Sequence, residues 1–319
     1  MTRVAAIDCG TNSVRLLIAD IEADTLTDVE RRMEIVRLGQ GVDETGRLAP
    51  EALERTFGAM RGYAKLIDQH GAYAVRVVAT SATRDAANRQ DFVDGVREIF
   101  GVEPEVITGA EEAELSFTGA TRDLVRLSPE TGLPTPDGTR PPYLVVDIGG
   151  GSTEFVLGST HVEAALSVDI GCVRLTERHL RDAGSPPSAE VVEAVVADID
   201  EALDRVAQEV AVERALTLVG LAGSVTTVAG IALDLPGYDP DKIHHSRIAV
   251  NGVREVSERL LAMTHDERAA IPVMHPGRVD VIGAGALILD RIMERYGFTD
   301  VVVSEHDILD GIAWSVSKP

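Results

Sequence analysis

The stretch Y-L-V-V-D-I-G-G-G-S-T-E-F-V-L-G, residues 143–158, sets a triple glycine between two apolar runs of strand length. Short runs of β-branched and aromatic residues bounded by glycine favour extended chain, so the segment reads as two strands joined by a turn. Glycine permits the tight reversal and turns backbone N–H groups inward, while Ser152 and Thr153 add hydroxyl donors, which together make a concavity for phosphate oxygens. The turn has no G-K-[ST], so it is not a P-loop. It leads into a strand where a dinucleotide fingerprint would open a helix. Taken alone it is equally a plain glycine-rich hairpin, and Asp147 and Glu154 on its two sides would repel a bare anion.

A second copy of the pattern lies at the amino terminus. I-D-C-G-T-N-S-V-R-L-L-I, from Ile7, superimposes on V-D-I-G-G-G-S-T-E-F-V-L, from Val146, so that Asp8 matches Asp147, Gly10 matches Gly149, Ser13 matches Ser152 and Arg15 matches Glu154. The element order repeats as well. Each half opens with three consecutive strands and continues with helices alternating with single strands, the first half reading β-β-β-α-β-α-β-α. The expected fold is therefore α/β and duplicated, with two lobes around a cleft. Residues 1–126 form the first lobe and 127–304 the second; 127–142, dense in proline and glycine, is a linker or loop.

The acids fit the anion site if a divalent cation binds with the phosphate. Mg²⁺ prefers carboxylate and water oxygens and bridges to substrate phosphates, so Asp8 and Asp147 at the ends of their strands are candidate metal-associated groups. Arg15 could neutralise a phosphate from the other side. A third turn, L-V-G-L-A-G-S-V-T-T, is read as a strand ending at Gly223 and a helix starting at Ser224, where free N–H groups meet an anion; an ordinary Ser224 N-cap is the structural alternative.

The helix from Gly109 carries acids in its first turns. Thr108 and Glu111 fit a capping box, which occupies Glu111. Glu112 has no such duty and lies off the apolar stripe of Ala113, Phe117, Ala120 and Leu124, so it is the candidate general base, against the plainer role of complementing the helix dipole. His244 and His245 are adjacent and, in a strand, would point to opposite faces, which argues against a shared metal.

Composition narrows the classes. Lys and Arg total 30 against 52 Asp and Glu, a formal charge of −22, which opposes duplex nucleic acid binding through phosphate neutralisation. Aromatic content of 4% leaves few platforms for stacking bases. No apolar run approaches the ~18 residues needed to cross a bilayer, and the amino terminus lacks a secretory pattern, so no membrane association and a cytoplasmic location are expected. Cys9 and Cys172 suggest neither a disulfide framework nor a thiolate metal site.

D-C-G-T-N-S-V-R-L-L-I, A-T-S-A-T-R-D-A-A-N, T-G-A-E-E-A-E-L-S-F-T-G, V-V-D-I-G-G-G-S-T-E-F, G-C-V-R-L-T-E-R, G-L-A-G-S-V-T-T and R-V-D-V-I-G-A-G-A-L-I-L together resemble the exopolyphosphatase/guanosine pentaphosphate phosphatase family, in the family's order and over nearly the whole chain. The resemblance implies the duplicated ribonuclease H-like fold of actin, sugar kinases and heat-shock ATPases. It also implies Mg²⁺-dependent release of terminal orthophosphate from inorganic polyphosphate or from guanosine pentaphosphate (pppGpp), and a homodimer. Carried onto this sequence, Glu112 looks like the catalytic base, Glu154 like the group orienting the attacking water, and Asp147 like the metal-associated acid. Thr11, Asn12, Ser13, Arg15, Gly149, Gly150, Gly151, Ser152, Gly223 and Ser224 resemble the phosphate-binding set, and Arg84 is similar to a family arginine, with an exposed helix-start arginine as the alternative. Longer members carry a helical carboxy-terminal region that grips long chains, and this sequence stops at Pro319, so short-chain polyphosphate is the expected substrate. The family pattern returns a terminal helix, here over 305–319, to the first lobe; V-V-V-S-E-H-D-I-L-D-G-I-A lacks the glycine and arginine often found after that serine, so this helix is expected to pack differently against that lobe. A polyphosphate or nucleotide sensor without turnover is the reading from another class, which the presence of both Glu112 and Glu154 opposes.

Overall fold

The computed structural model describes residues 2–23, 25–127 and 138–316; residues 128–137 of the expected linker, and the last three of the expected terminal helix, lie outside them. Contacts divide the chain into two units, one running to Gly119 and resuming at Ile308, the other spanning Ala120–Asp307.

In the first unit β1 (Thr2–Cys9), β2 (Ser13–Glu22) and β3 (Thr25–Ile35) make an antiparallel meander. After α1 (Val42–Thr45) and α2 (Pro50–His70), β4 (Ala74–Ala79) returns parallel to β1. Then α3 (Ser81–Asp85) and α4 (Arg89–Phe100) lead to β5 (Glu105–Val106), parallel to β4, and α5 (Gly109–Leu127) follows. The sheet order is β3-β2-β1-β4-β5. Residues Val4–Cys9 of β1 are buried without a break, as a central strand covered on both faces requires. Alternation splits them. Ala5, Ile7 and Cys9 join Leu53, Met60, Phe92 and Val96 under α2 and α4, while Val4 and Ala6 face Ile308, Leu309, Ile312 and Trp314.

The second unit repeats this plan. β6 (Tyr143–Ile148), β7 (Thr153–Gly158) and β8 (Val162–Val168) form the meander, followed by α6 (Cys172–Leu175), whose continuation over Thr176–Leu180 is a π-helical turn, and α7 (Ala189–Glu209). β9 (Thr217–Leu221) lies parallel to β6 and leads into α8 (Ala222–Ala232) and α9 (Pro240–Ile243). β10 (Arg247–Ala249), α10 (Val250–Ala262), α11 (His265–Ala269) and α12 (Ile282–Tyr296) precede β11 (Asp300–Val303), parallel to β9. In the order β10-β11-β9-β6-β7-β8, the run β8-β7-β6-β9-β11 reproduces the first sheet, with β10 added at the edge. This is the duplicated ribonuclease H-like α/β fold expected from the sequence.

The last described element, α13 (Ile308–Val316), belongs to the first unit and covers the Val4 and Ala6 face of its sheet. At Gly311 an added Cβ would run into the Leu115 carbonyl, so α13 and α5 approach backbone to backbone, which only glycine permits. Asp310 of α13 is paired with Arg31 of β3.

Candidate active site

Open α/β sheets gather ligand-binding groups beyond the carboxyl ends of their parallel strands. In the first unit those ends are Cys9, Ala79 and Val106. Past Cys9, the Gly10 N–H donates to the Ser13 carbonyl at 3.0 Å and closes the turn. The Thr11 carbonyl accepts from the Gly39 N–H at 2.8 Å, and the Asn12 carbonyl accepts from Val36 and Arg37 at 3.0 and 2.9 Å. Since a trans peptide sets its N–H opposite its C=O, the Asn12 and Ser13 N–H groups point away from that backing loop, as an anion nest requires. Thr11 Oγ1 is 2.8 Å from Ser81 Oγ at the start of α3.

Asp8 and Arg15 are cross-strand partners. Both Arg15 Nε and Nη2 donate to Asp8 Oδ2, at 2.9 and 2.6 Å, and Asp8 is buried. The sequence assigned Asp8 to a metal and Arg15 to a phosphate; in the structure the two charges meet each other, because a carboxylate at the end of a buried strand needs a partner of opposite sign.

Glu112, expected to project freely from α5, is only 7% exposed. Its Oε2 accepts from Arg84 Nη1 at 3.0 Å, and the same nitrogen donates to the Ile107 carbonyl at 3.0 Å. Arg84 therefore follows β4 and clamps the beginning of α5, an assignment the sequence left open. Glu111 is occupied as expected: it accepts from the Thr108 N–H at 2.9 Å while its own N–H donates to Thr108 Oγ1. Those backbone and hydroxyl donors hold its pKa below the usual glutamate range. Thr11, Ser81, Arg84 and Glu112 thus lie in one connected series at one end of the first sheet.

The triple-glycine turn of the second unit closes in the same way, with Gly149 N–H donating to the Ser152 carbonyl at 3.0 Å. Asp147 and Glu154 are cross-strand partners, the register of Asp8 and Arg15. The Gly149 carbonyl accepts from Cys172 N–H at 3.0 Å, and the Gly150 carbonyl from Val173 and Arg174 at 2.9 and 3.0 Å. The Gly151 carbonyl accepts from Arg174 Nε at 2.6 Å. Three consecutive carbonyls face α6, so the N–H groups of Gly150, Gly151 and Ser152 all face away from it. Glu154 is 1% exposed, and its Oε1 accepts from Ser167 Oγ at 2.7 Å.

The third turn differs from expectation in register. The helix begins at Ala222, so Gly223 and Ser224 sit inside its first turn, with Leu221 at the N-cap and no side-chain cap. Ala222 adopts φ 67, a left-handed conformation unusual for a residue with a Cβ, and marks a sharp strand-to-helix elbow. Arg278, from the short turn Pro276–Arg278, lies across Gly223: an added Cβ there would run into the guanidinium, including Nε at 2.7 Å. Arg278 Nη1 also donates to Thr227 Oγ1 at 3.2 Å. Burial pushes the pKa of the Cys172 thiol up, against the smaller lowering effect of neighbouring Ser224. Cys172, whose N–H holds Gly149, and Ser224 both lie against Gly285 of α12.

Sequence reasoning missed Gly39, Gly171, Arg174 and Arg278. The first two had a signal, because R-L-G (37–39) and I-G-C (170–172) each follow the third strand of their half. Arg174 and Arg278 lie within two of the stretches that carry the family resemblance, G-C-V-R-L-T-E-R and R-V-D-V-I-G-A-G-A-L-I-L, but no periodicity or spacing there assigns either a role. His244 and His245 lie in a turn, His245 with φ 59, and their rings stack with centroids 3.8 Å apart instead of pointing to opposite faces. Among the described residues no group of three or more His, Cys, Asp or Glu could hold a metal ion, and no helix is long and apolar enough to cross a membrane.

Two register-matched glycine turns, backed on their carbonyl side with their N–H groups facing away from the backing segments, define a duplicated α/β protein. The chain belongs to the Ppx/GppA phosphatase family, whose sequence pattern matches residues 17–317. It is 49% identical to exopolyphosphatase 2 of Mycobacterium tuberculosis over 99% of both chains. A solved exopolyphosphatase-like protein is 42% identical, with a TM-score of 0.90 over 98% of both chains. The Ppx/GppA enzyme of Aquifex aeolicus is 32% identical, with a TM-score of 0.79 over 98% of this chain and 99% of its own.

Proposed function

We propose that the protein is a Mg²⁺-dependent exopolyphosphatase that releases terminal orthophosphate from short-chain inorganic polyphosphate, acting in the cytoplasm as a homodimer. The observation that carries the reading is the repeated glycine turn, whose N–H groups face away from their backing segments in both units. The relative from M. tuberculosis named an exopolyphosphatase supports it.

Phosphoanhydride cleavage needs charge neutralisation, an oriented water and a proton acceptor. In this reading Glu112 takes the proton, with Arg84 fixing one carboxylate oxygen, and Glu154 orients the water, with Ser167 fixing its carboxylate. The Asn12, Ser13, Gly150, Gly151 and Ser152 N–H groups, the helix start at Gly223 and Ser224, and Arg278 bind phosphate oxygens. Asp147 suits Mg²⁺, which is commonly held by one or two carboxylates together with substrate phosphates, so the lack of a larger acidic cluster among the described residues is compatible with it. Asp8, held by Arg15, would act on the ion through water. When bound, the ion would offset charge on the phosphate oxygens.

A second reading, pppGpp 5′-phosphohydrolase, is favoured by the family's joint description and uses the same groups. One assay separates them: phosphate release from short polyphosphate, long polyphosphate and pppGpp, with Mg²⁺ and with chelator. Fastest Mg²⁺-dependent turnover of short polyphosphate is expected. Preference for pppGpp would install the second reading, and binding without turnover of any would leave a sensor.

A further inference from the structure

Arg174 is a charged side chain in direct contact with the backbone of the triple-glycine turn. Its own N–H donates to the Gly150 carbonyl at 3.0 Å and its Nε to the Gly151 carbonyl at 2.6 Å, so one residue holds two successive peptides. A charge-assisted hydrogen bond to a carbonyl polarises the whole peptide, which makes the N–H on its far side a stronger donor. The far side of the Gly151 peptide is the Ser152 N–H. The guanidinium also places positive charge behind a turn whose flanking residues, Asp147 and Glu154, are both acidic.

The backing is built with close tolerance. At Gly171 an added Cβ would run into the Gly150 carbonyl and lie 2.7 Å from the Gly151 nitrogen, so α6 begins in backbone contact with the turn. Such contact fixes Arg174 with little freedom to move away. Its side chain is 12% exposed, and Asp169 Oδ1 stands 3.9 Å from Nη2.

We infer that Arg174 is a positioning residue for phosphate binding: it aligns and polarises the Gly151–Ser152 peptide so that the Ser152 N–H binds an anionic oxygen, without touching the substrate. The inference rests on reading the turn as a phosphate nest. Because the nest would act alike on ground state and transition state, its loss should raise KM and leave kcat nearly unchanged.

The test compares wild type, Arg174→Lys and Arg174→Ala in two measurements, binding of inorganic phosphate by calorimetry and steady-state kinetics on short polyphosphate. Arg174→Ala should weaken phosphate binding and raise KM by about tenfold with kcat changed less than about threefold. Free guanidinium at low millimolar concentration should restore part of the affinity, which a merely structural loss would not show. Arg174→Lys should fall between, since it keeps the charge and loses the planar donor fork. Unchanged phosphate affinity and KM in Arg174→Ala, with wild type binding phosphate, would overturn the inference while leaving the proposed function standing. Wild type that neither binds phosphate nor turns over short polyphosphate would overturn both. If Arg174→Ala fails to fold, Arg174→Lys carries the comparison, and wild-type affinity in it would count against the inference.

Discussion

Two glycines make opposite predictions from similar crowding. At Gly171 the atoms an alanine methyl would meet belong to the Gly150 and Gly151 backbone, which cannot move without unmaking the turn. Gly171→Ala should therefore lower stability by about 2–3 kcal/mol, in the range of overpacked cores, and remove most of the activity. At Gly223 the obstruction is the end of the Arg278 side chain, which can swing away. Gly223→Ala should melt within a few degrees of wild type yet bind phosphate at least tenfold more weakly, with Arg278→Ala reproducing the loss; calorimetry and thermal melts on the same samples check both. Glu112→Gln belongs at this scale as well. The amide oxygen can still accept from Arg84, so the buried contact survives while the proton acceptor is lost; the rate should fall below a tenth of wild type, with the melting temperature nearly unmoved. The candidate base was legible because Glu111 was already spoken for by Thr108. Its burial against Arg84 was not, since the two lie 28 residues apart and no local pattern links them.

Among the elements, the turn carrying Arg278 has a geometry that depends on protonation. His275 Nδ1 accepts from the Gly277 N–H at 3.1 Å, so the ring is neutral with its proton on Nε2. Burial first, and the Arg278 charge second, hold the His275 pKa below the ordinary histidine value. As pH falls from 7 the unfolded chain takes up this proton before the folded one, so stability that is complete at neutral pH declines through the ordinary histidine range until folded His275 itself titrates. His275→Asn keeps a side-chain acceptor for Gly277 and does not titrate; its urea midpoint should fall less than that of wild type between pH 7 and 5. An equal fall in both would dismiss the mechanism. The elements were largely readable, because Pro50 and Gly71 bracket α2 and the meanders alternate with short turns. The start of α8 was misplaced by two residues, because Ala222 adopts a left-handed conformation that sequence assigns to glycine.

Across the whole molecule, the order of the chain and the grouping of contacts disagree in one respect with consequences for folding. The second unit is a continuous stretch, Ala120–Asp307, with its own large core around Phe155, Leu203 and Ile288. The first unit is interrupted: one face of its sheet, Val4, Ala6, Leu17 and Val78, is covered by Ile308, Leu309, Ile312 and Trp314, which follow the whole second unit in the chain. Burying an aliphatic or aromatic side chain of this size contributes roughly 1.5–3 kcal/mol, so a first unit without α13 leaves several such contributions unmade and an apolar sheet face in water. Asp310 would also be lost, leaving Arg31 with Asp28 alone; against the opposing effect of burial, it is chiefly Asp310, and after it Asp28, that holds the Arg31 pKa high. A chain ending at Asp307 should therefore bind a hydrophobic dye, aggregate and show no phosphate release, while residues 120–307 alone should give a cooperative urea transition. Residues 1–119 alone should not. Adding a peptide of residues 305–319 to the shortened chain should suppress dye binding in proportion to its concentration, and a peptide with Trp314→Ala and Ile312→Ala should fail to do so. Dye binding equal to that of the full chain before any peptide is added would show that α13 is not what closes the first core.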